Sequence, residues 1–175
     1  MSNMHTLITR NKKFAKDFTK AELPILPNLR MVILSCVDAR VDPAHIFKLE
    51  LGEAVVIRNN GGRVTKAAIE EIAGLAAMVA MMDGDKQGGF ELVLLQHTQC
   101  GAERFTNPDM QKMFKEKLGI DVSESAIHDH NESLVEDVER LRSSPNIPKH
   151  IITSGYIYDV QNGQVQEIIA PSKLG

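Results

Sequence analysis

The sequence predicts an α/β fold, a single domain with a mainly parallel central sheet flanked by helices. Three short, continuous apolar segments support this prediction, at residues 31–36, 54–58 and 91–96. Such runs are typical of strands buried on both faces. Segments with helical periodicity separate them, and strands that alternate with helices form parallel sheets. A C-terminal hairpin is predicted to add an antiparallel edge.

The N-terminal part of the chain differs from the rest. Its first twenty residues contain five basic residues with apolar ones between them, which predicts a short amphipathic helix. Pro24 and Pro27 follow, and proline disfavours regular structure because it fixes φ and lacks an N–H group. We therefore divide the chain into a helical arm with its linker, residues 1–28, and an α/β domain, residues 29–175.

Cap and turn residues set the limits of the other elements. The remaining predicted helices begin at Pro43, Thr65, Pro108 and Asn131 and end near Gly52, Met82, Gly119 and Arg142. Residues 59–62 are predicted to form a tight loop, because asparagine and glycine tolerate positive φ. We expect a glycine-rich turn over residues 83–89 and a hairpin over residues 158–165 with an Asn162-Gly163 turn.

Composition excludes several classes of function. The chain has 175 residues, 43% hydrophobic and 25% charged, with a net charge of -3, which is typical of a soluble globular protein. Its charge and its lack of tryptophan disfavour nucleic-acid binding. No apolar run is long enough to span a membrane, and no signal-peptide core begins the chain, so we expect a cytoplasmic protein.

Metal-binding residues stand at the ends of two predicted strands. Cys36 closes the first apolar run, and His97 and Cys100 follow the third. Sites in open α/β sheets form beyond the carboxyl ends of strands, so neighbouring parallel strands would bring these three residues together. A disulfide between the chain's two cysteines is an alternative, but in a reducing compartment cysteines are more often buried thiols or metal ligands.

This set of residues suits zinc. Thiolate and imidazole are zinc ligands, and three protein ligands leave a fourth tetrahedral position open, as in catalytic sites. Such a zinc lowers the pKa of bound water toward about 7 and makes hydroxide available. Asp38 and Arg40 lie two residues apart beyond the strand and, if the backbone stays extended, face the same side. The arginine would keep the carboxylate ionised and oriented toward the hydroxide.

The motifs Cys36-x-Asp38-x-Arg40 and His97-x-x-Cys100-Gly101 together resemble the β-class carbonic anhydrase family, in its compact microbial branch. The intervening residues 58–62 are similar to the Arg-Asn-Ala-Gly loop of that family, with Asn60 where alanine is common. The resemblance implies a zinc enzyme that reversibly hydrates carbon dioxide to bicarbonate and a proton, with Cys36, His97 and Cys100 as zinc ligands.

The resemblance also implies roles beyond the three ligands. Asp38 and Arg40 correspond to the catalytic dyad of the family, and Asp38 would bind zinc only in an inactive closed state. Ala39 departs from the serine that many members have between the two. The expected assembly is a homodimer or homotetramer in which the N-terminal helix packs on a neighbouring subunit.

Three other functions compete with carbon dioxide hydration. A hydrolase of carbon disulfide or carbonyl sulfide would use the same zinc site. A non-catalytic protein could hold a structural zinc closed by Asp38, although Arg40 argues against it. A nucleotide-binding protein would use residues 59–62 as a phosphate loop, but it lacks the usual glycine motifs. His128-Asp129-His130 raises a second-metal or proton-shuttle interpretation, and we interpret it as a polar, solvated loop.

Overall fold

The computed structural model describes residues 2–83 and 89–175. Its helices are α1 Met4–Lys16, α2 Pro43–Phe47, α3 Lys66–Asp83, α4 Pro108–Leu118 and α5 His130–Ser143. Its strands are β1 Met31–Cys36, β2 Ala54–Asn59, β3 Glu91–His97, β4 Ile152–Tyr158 and β5 Val165–Lys173. Most of the predicted turn over residues 83–89 lies outside the described residues. None of the described helices is long and apolar enough to cross a membrane.

The five strands form one sheet in the order β2-β1-β3-β4-β5. The first four are parallel, and β5 runs antiparallel to β4 at one edge. The predicted α/β class, with a mainly parallel sheet and an antiparallel edge, is therefore confirmed. The arrangement matters for the site because β1 and β3 are direct neighbours, with Ser35 paired to Leu95 near their carboxyl ends.

The main core lies between one face of the sheet and helices α3 and α5. The helices contribute residues at helical spacing, and the two central strands contribute alternate residues: Ala68, Ile72, Ala76, Val79, Leu134, Val138, Leu141, Val32, Leu34, Leu92 and Leu94. A smaller cluster of Ile33, Val93 and Leu95 covers the other face. Each fully buried leucine or isoleucine stabilises the fold by about 1.5–3 kcal/mol. This packing fixes β1 and β3, whose ends carry the predicted metal-binding residues.

Three details of the predicted elements are wrong. Strand β2 is not buried on both faces, and Val56 is 37% exposed, because β2 is the edge strand of the sheet. Helix α2 ends at Phe47, well before Gly52, because Lys48 adopts a left-handed φ of 55°. The predicted hairpin over residues 158–165 forms, but its turn is longer than Asn162-Gly163 alone, since strand pairing stops at Tyr158 and Val165 and six residues connect them.

Helix α1 forms as predicted but has no buried residue. Residues 17–30 after it contain no helix or strand, as expected from Pro24 and Pro27. Isolated helices of this length are marginal in water. Because no residue of α1 is buried, packing against the rest of the described chain adds little to the stability of this helix. The division at residue 28 stays a prediction.

Candidate metal centre

The ends of β1 and β3 bring Cys36, His97 and Cys100 together. Their three potential ligand atoms lie within 4.8 Å of one another, and all three residues are buried. The Sγ atoms of Cys36 and Cys100 are 3.8 Å apart, and both thiols are free. A disulfide bond is about 2.05 Å long, so the disulfide alternative does not describe this structure.

The hydrogen bonding of His97 suits a metal ligand. Its Nδ1 atom lies 2.9 Å from the carbonyl oxygen of Thr98, which can only accept, so Nδ1 carries the hydrogen. The lone pair is then on Nε2, which is buried and has no hydrogen-bond partner among residues 2–83 and 89–175. An unpaired buried acceptor is costly, and a cation held between it and two thiolates would satisfy it. The donor set therefore fits zinc.

The two thiols affect each other's ionisation. A hydrogen bond from the thiol of Cys100, with further N–H groups from Asp38 and Gly61, lowers the pKa of Cys36. The nearby Cys36 sulfur and burial raise the pKa of Cys100. The two sulfurs thus share a proton that the pair holds tightly. Binding of a metal by both sulfurs must release that proton, so metal affinity increases with pH.

A glycine-containing loop packs closely behind Cys36. Gly61 and Gly62 have φ values of 78° and 63°, and both are buried. A Cβ atom on Gly62 would lie 3.0 Å from the backbone nitrogen of Cys36. The predicted positive φ in residues 59–62 is confirmed. Because this loop packs against the strand end that carries Cys36, its glycines do not form an open phosphate cradle.

Asp38 and Arg40 form a two-pronged ion pair beside the three ligands. Arg40 donates from Nε to Oδ1 at 3.0 Å and from Nη2 to Oδ2 at 2.7 Å. Oδ2 of Asp38 also lies 4.0 Å from Nε2 of His97. Hydrogen bonds from Arg40 hold the pKa of Asp38 well below the usual carboxyl range. The carboxylate is thus ionised and fixed close to the potential metal position.

The assumption of an extended backbone at Asp38 is wrong. The N–H of Val41 donates to the carbonyl of Asp38 at 2.9 Å, and the N–H of Arg40 donates to the Asp38 side chain at 2.9 Å. The chain therefore turns at this point. The two side chains meet because of the turn, and the arginine also donates to the carbonyl of Gln99 at 3.0 Å.

Arg58 has a role that its motif alone did not reveal. Its guanidinium donates to the carbonyl oxygens of Cys36, Asp38 and Val41 at 2.8–2.9 Å. Three carbonyls converging on one cation fix the backbone on which Cys36 and Asp38 stand. The sequence motif marked Arg58, but only the fold shows which carbonyls it reaches.

A second ion pair, which the sequence analysis missed, is buried near the site. Arg63 donates from Nε to Asp137 at 2.8 Å, and their side chains are 2% and 0% exposed. Burial raises the pKa of Asp137, and the hydrogen bond from Arg63 opposes that shift. The sequence feature that could have indicated this pair is Asp137, a charged residue on the apolar stripe of α5 between Leu134 and Leu141.

His130 also differs from its interpretation as part of a solvated loop. His128 is exposed, whereas His130 lies at the start of α5 and contacts Gln96 at 3.0 Å and Glu103 at 3.1 Å. The solvated-loop interpretation therefore describes His128 but not His130. Spacing along the chain does not indicate these contacts, because the partners are 34 and 27 positions away.

A cavity of about 770 Å³ opens over the site. Its lining includes Cys36, Asp38, Arg40, Cys100, Glu103 and Phe105. All five residues predicted from the sequence thus lie together, and four of them line this cavity. The cavity therefore gives a small molecule access to both cysteine sulfurs and to the fixed carboxylate of Asp38.

The fold and the site define an α/β protein with a Cys-His-Cys cluster that could bind a metal at the carboxyl edge of its sheet. The family model for carbonic anhydrase matches residues 31–142. "Beta-carbonic anhydrase 1" from Mycobacterium tuberculosis is 31% identical over 163 residues, which cover 92% of this chain and 94% of that protein. The chain belongs to the β-class carbonic anhydrase family.

Two further relatives are informative. The crystal structure of carbonic anhydrase from Streptococcus mutans superposes with a TM-score of 0.76 at 37% identity, covering 96% of this chain and 98% of that one. A carbon disulfide hydrolase from Acidithiobacillus thiooxidans is 29% identical over 170 residues, covering 84% of this chain and 81% of the relative. The chain is thus similar to proteins named for two different substrates.

Proposed function

We propose that this chain is a zinc-dependent carbonic anhydrase, which converts carbon dioxide and water reversibly to bicarbonate and a proton. The observation that carries the proposal is the pairing of Asp38 with Arg40 beside an incomplete ligand set. Both carboxylate oxygens accept hydrogen bonds from the arginine, which keeps Asp38 from acting as a fourth protein ligand. Three protein ligands and an open position are characteristic of catalytic zinc.

In this mechanism Cys36, His97 and Cys100 hold the zinc. Zinc in such a ligand set supplies hydroxide as a nucleophile near neutral pH. The remaining work falls to the chain's own residues. The ionised carboxylate of Asp38 accepts a hydrogen bond from the nucleophile and so orients it toward the carbon of the substrate, while Arg40 holds the carboxylate in place.

The surrounding residues position this machinery. Arg58 fixes the backbone carbonyls of Cys36 and Asp38, and the cavity admits carbon dioxide and releases bicarbonate. If Arg40 released Asp38, the free carboxylate would be available as a further ligand that would close the site. We propose that Asp38 acts as a ligand only in that closed state.

Stopped-flow measurement of carbon dioxide hydration by the zinc-loaded protein tests this function. We expect catalysis above the uncatalysed rate, increasing from acid to alkaline pH as hydroxide becomes available. A protein that binds zinc but is inactive at every pH would contradict the proposal and favour a structural zinc.

A second candidate substrate class is carbon disulfide or carbonyl sulfide. The observation that favours it is the similarity to carbon disulfide hydrolase over 84% of this chain. The same zinc-loaded protein should be assayed with carbon disulfide, with hydrogen sulfide as the measured product. We expect a lower kcat/KM for carbon disulfide than for carbon dioxide, and the reverse order would assign the chain to the hydrolase function.

We also propose that the chain forms a homodimer or homotetramer in the cytoplasm. Helix α1 exposes apolar side chains, including Leu7 at 50% and Phe14 at 54%. A second copy of the chain would bury these residues and stabilise a helix of marginal length. Light scattering at micromolar concentration should show an oligomer that removal of residues 1–20 weakens. A monomeric full-length chain would contradict the proposal.

A further inference from the structure

A continuous hydrogen-bonded path runs from the buried ion pair to the turn that carries Cys100. Asp137 accepts from Arg63, and it also accepts from the amide nitrogen of Gln96 at 3.4 Å. The amide oxygen of Gln96 faces Nδ1 of His130 at 3.0 Å. Gln96 immediately precedes His97, so this path passes beside one potential metal ligand.

The second half of the path reaches another ligand. Nε2 of His130 lies 3.1 Å from Oε1 of Glu103, and the same oxygen accepts the backbone N–H of Cys100 at 2.9 Å. The turn that it supports contains Gln99 with φ of 56°, a left-handed conformation that is unfavourable for a residue with a side chain. Such a backbone persists only where the surroundings hold it.

The order of donors and acceptors fixes the hydrogens on His130. The Asp137 oxygen that accepts a hydrogen bond from Arg63 is an acceptor, so Gln96 must direct its NH₂ group toward that oxygen. Gln96 therefore presents its carbonyl oxygen to His130. The Glu103 carboxylate is an acceptor on the other side. Since a carboxylate can only accept, Nε2 of His130 carries the hydrogen that it donates to Glu103.

We propose that His130 is a positioning residue for the metal site. Through Glu103 it fixes the backbone N–H of Cys100, and with it the direction in which the Cys100 sulfur points. The imidazole side chain is 18% exposed, so it stands between the interior network and the more exposed carboxylate of Glu103. The inference rests on the proposed function only in taking Cys36, His97 and Cys100 as zinc ligands.

The test is the affinity of the protein for Zn²⁺, measured by competition with a chromophoric chelator. We expect His130→Ala to weaken zinc binding about 10- to 100-fold, the usual effect of removing a residue that supports a ligand. The absorption bands of the Co²⁺-substituted protein should shift as well. His128→Ala is the matched control, since His128 is exposed two residues away, and it should leave both measurements unchanged.

A double variant separates positioning from a general loss of structure. If His130 acts through Glu103, the His130→Ala, Glu103→Ala protein should bind zinc no more weakly than Glu103→Ala alone. Additive losses, or a His130→Ala protein that binds zinc within twofold of the unaltered protein, would overturn the proposal.

A measurement on the unaltered protein does not depend on whether the variants fold. Nitrogen NMR should show that Nε2 of His130, which faces the Glu103 carboxylate, carries a hydrogen, and an Nε2 without a hydrogen would contradict the proposed arrangement. Zinc affinity and ring protonation are independent of the substrate. If the protein fails to hydrate carbon dioxide while His130→Ala still loses zinc affinity, the proposed function fails and the positioning role stands.

Discussion

Two arginine–carboxylate pairs adjoin the predicted zinc ligands, and they differ in their exposure to water. Arg63 and Asp137 are 2% and 0% exposed, whereas Arg40 and Asp38 are 49% and 19% exposed. Both pairs have short contacts, so geometry alone does not distinguish them. A buried pair is costly to break, while an exposed pair contributes little to stability. The buried pair therefore serves the structure of the site, and the exposed pair is free to serve its chemistry.

The largest expected effect comes from breaking the buried pair. Arg63→Ala leaves the buried Asp137 with only the half-exposed Arg140, 3.7 Å away, as a cationic partner, and it removes donors to the carbonyl of Ala126 and to Glu136. We expect the free energy of unfolding to fall by about 3–5 kcal/mol, measured by urea denaturation. As control, Arg63→Met combined with Asp137→Leu should recover much of this loss, because both charges are absent. A loss below about 1 kcal/mol for Arg63→Ala would contradict the structural role.

Breaking the exposed pair should reduce activity more than stability, in contrast to breaking the buried pair. Arg40→Ala frees Asp38 to approach the zinc, so we expect hydration activity to fall about 10- to 100-fold while zinc is retained. The free energy of unfolding should change by less than about 1 kcal/mol. Arg142→Ala is a matched control, since Arg142 forms an exposed pair with Glu139 at 2.8 Å on α5. Full activity in Arg40→Ala would remove the dyad from the mechanism.

The sequence predicted the metal-binding residues better than the hydrogen-bonded residues that support them. Cys36, His97 and Cys100 were predictable because strand ends of a parallel sheet meet at one edge, and hydrophobic runs locate those ends. The same local logic placed α4, with Asn107 as its N-cap and Gly119 in the left-handed C-cap conformation. Residues close in sequence to a recognised motif could therefore be assigned.

The supporting network was not predictable in this way. Arg63 and Asp137 are 74 positions apart, and His130 is 34 and 27 positions from its partners Gln96 and Glu103, so no spacing rule links them. The predictions that β2 is buried on both faces and that the backbone stays extended at Asp38 were wrong for a related reason. The order of strands in the sheet decides which strand lies at the edge, and a side-chain hydrogen bond decides where the backbone turns. The hydrophobic pattern of the sequence encodes neither of these features.

The smallest expected effect concerns acid stability. Because Arg40 lowers the folded-state pKa of Asp38, the stability contributed by the pair is present above the unfolded-state pKa of about 3.9. It is lost as pH falls through the lower folded-state pKa. Asp38→Asn should therefore be less stable than the unaltered protein by under about 1 kcal/mol at pH 6, and the difference should shrink below pH 4.

Chemical unfolding of both proteins across this pH range, with chelator present throughout, measures that difference without a contribution from zinc release. A difference that grows toward acid pH would mean that the pair does not hold Asp38 in its ionised form.

The central claim is that one zinc, held by Cys36, His97 and Cys100, is responsible for the activity. The most direct test is to titrate zinc into the metal-free protein and to measure carbon dioxide hydration at each addition. Activity should rise in proportion to bound zinc and stop rising at one zinc per chain, and Cys100→Ala should neither bind zinc nor gain activity. Hydration at full rate by the folded, metal-free protein would contradict the account.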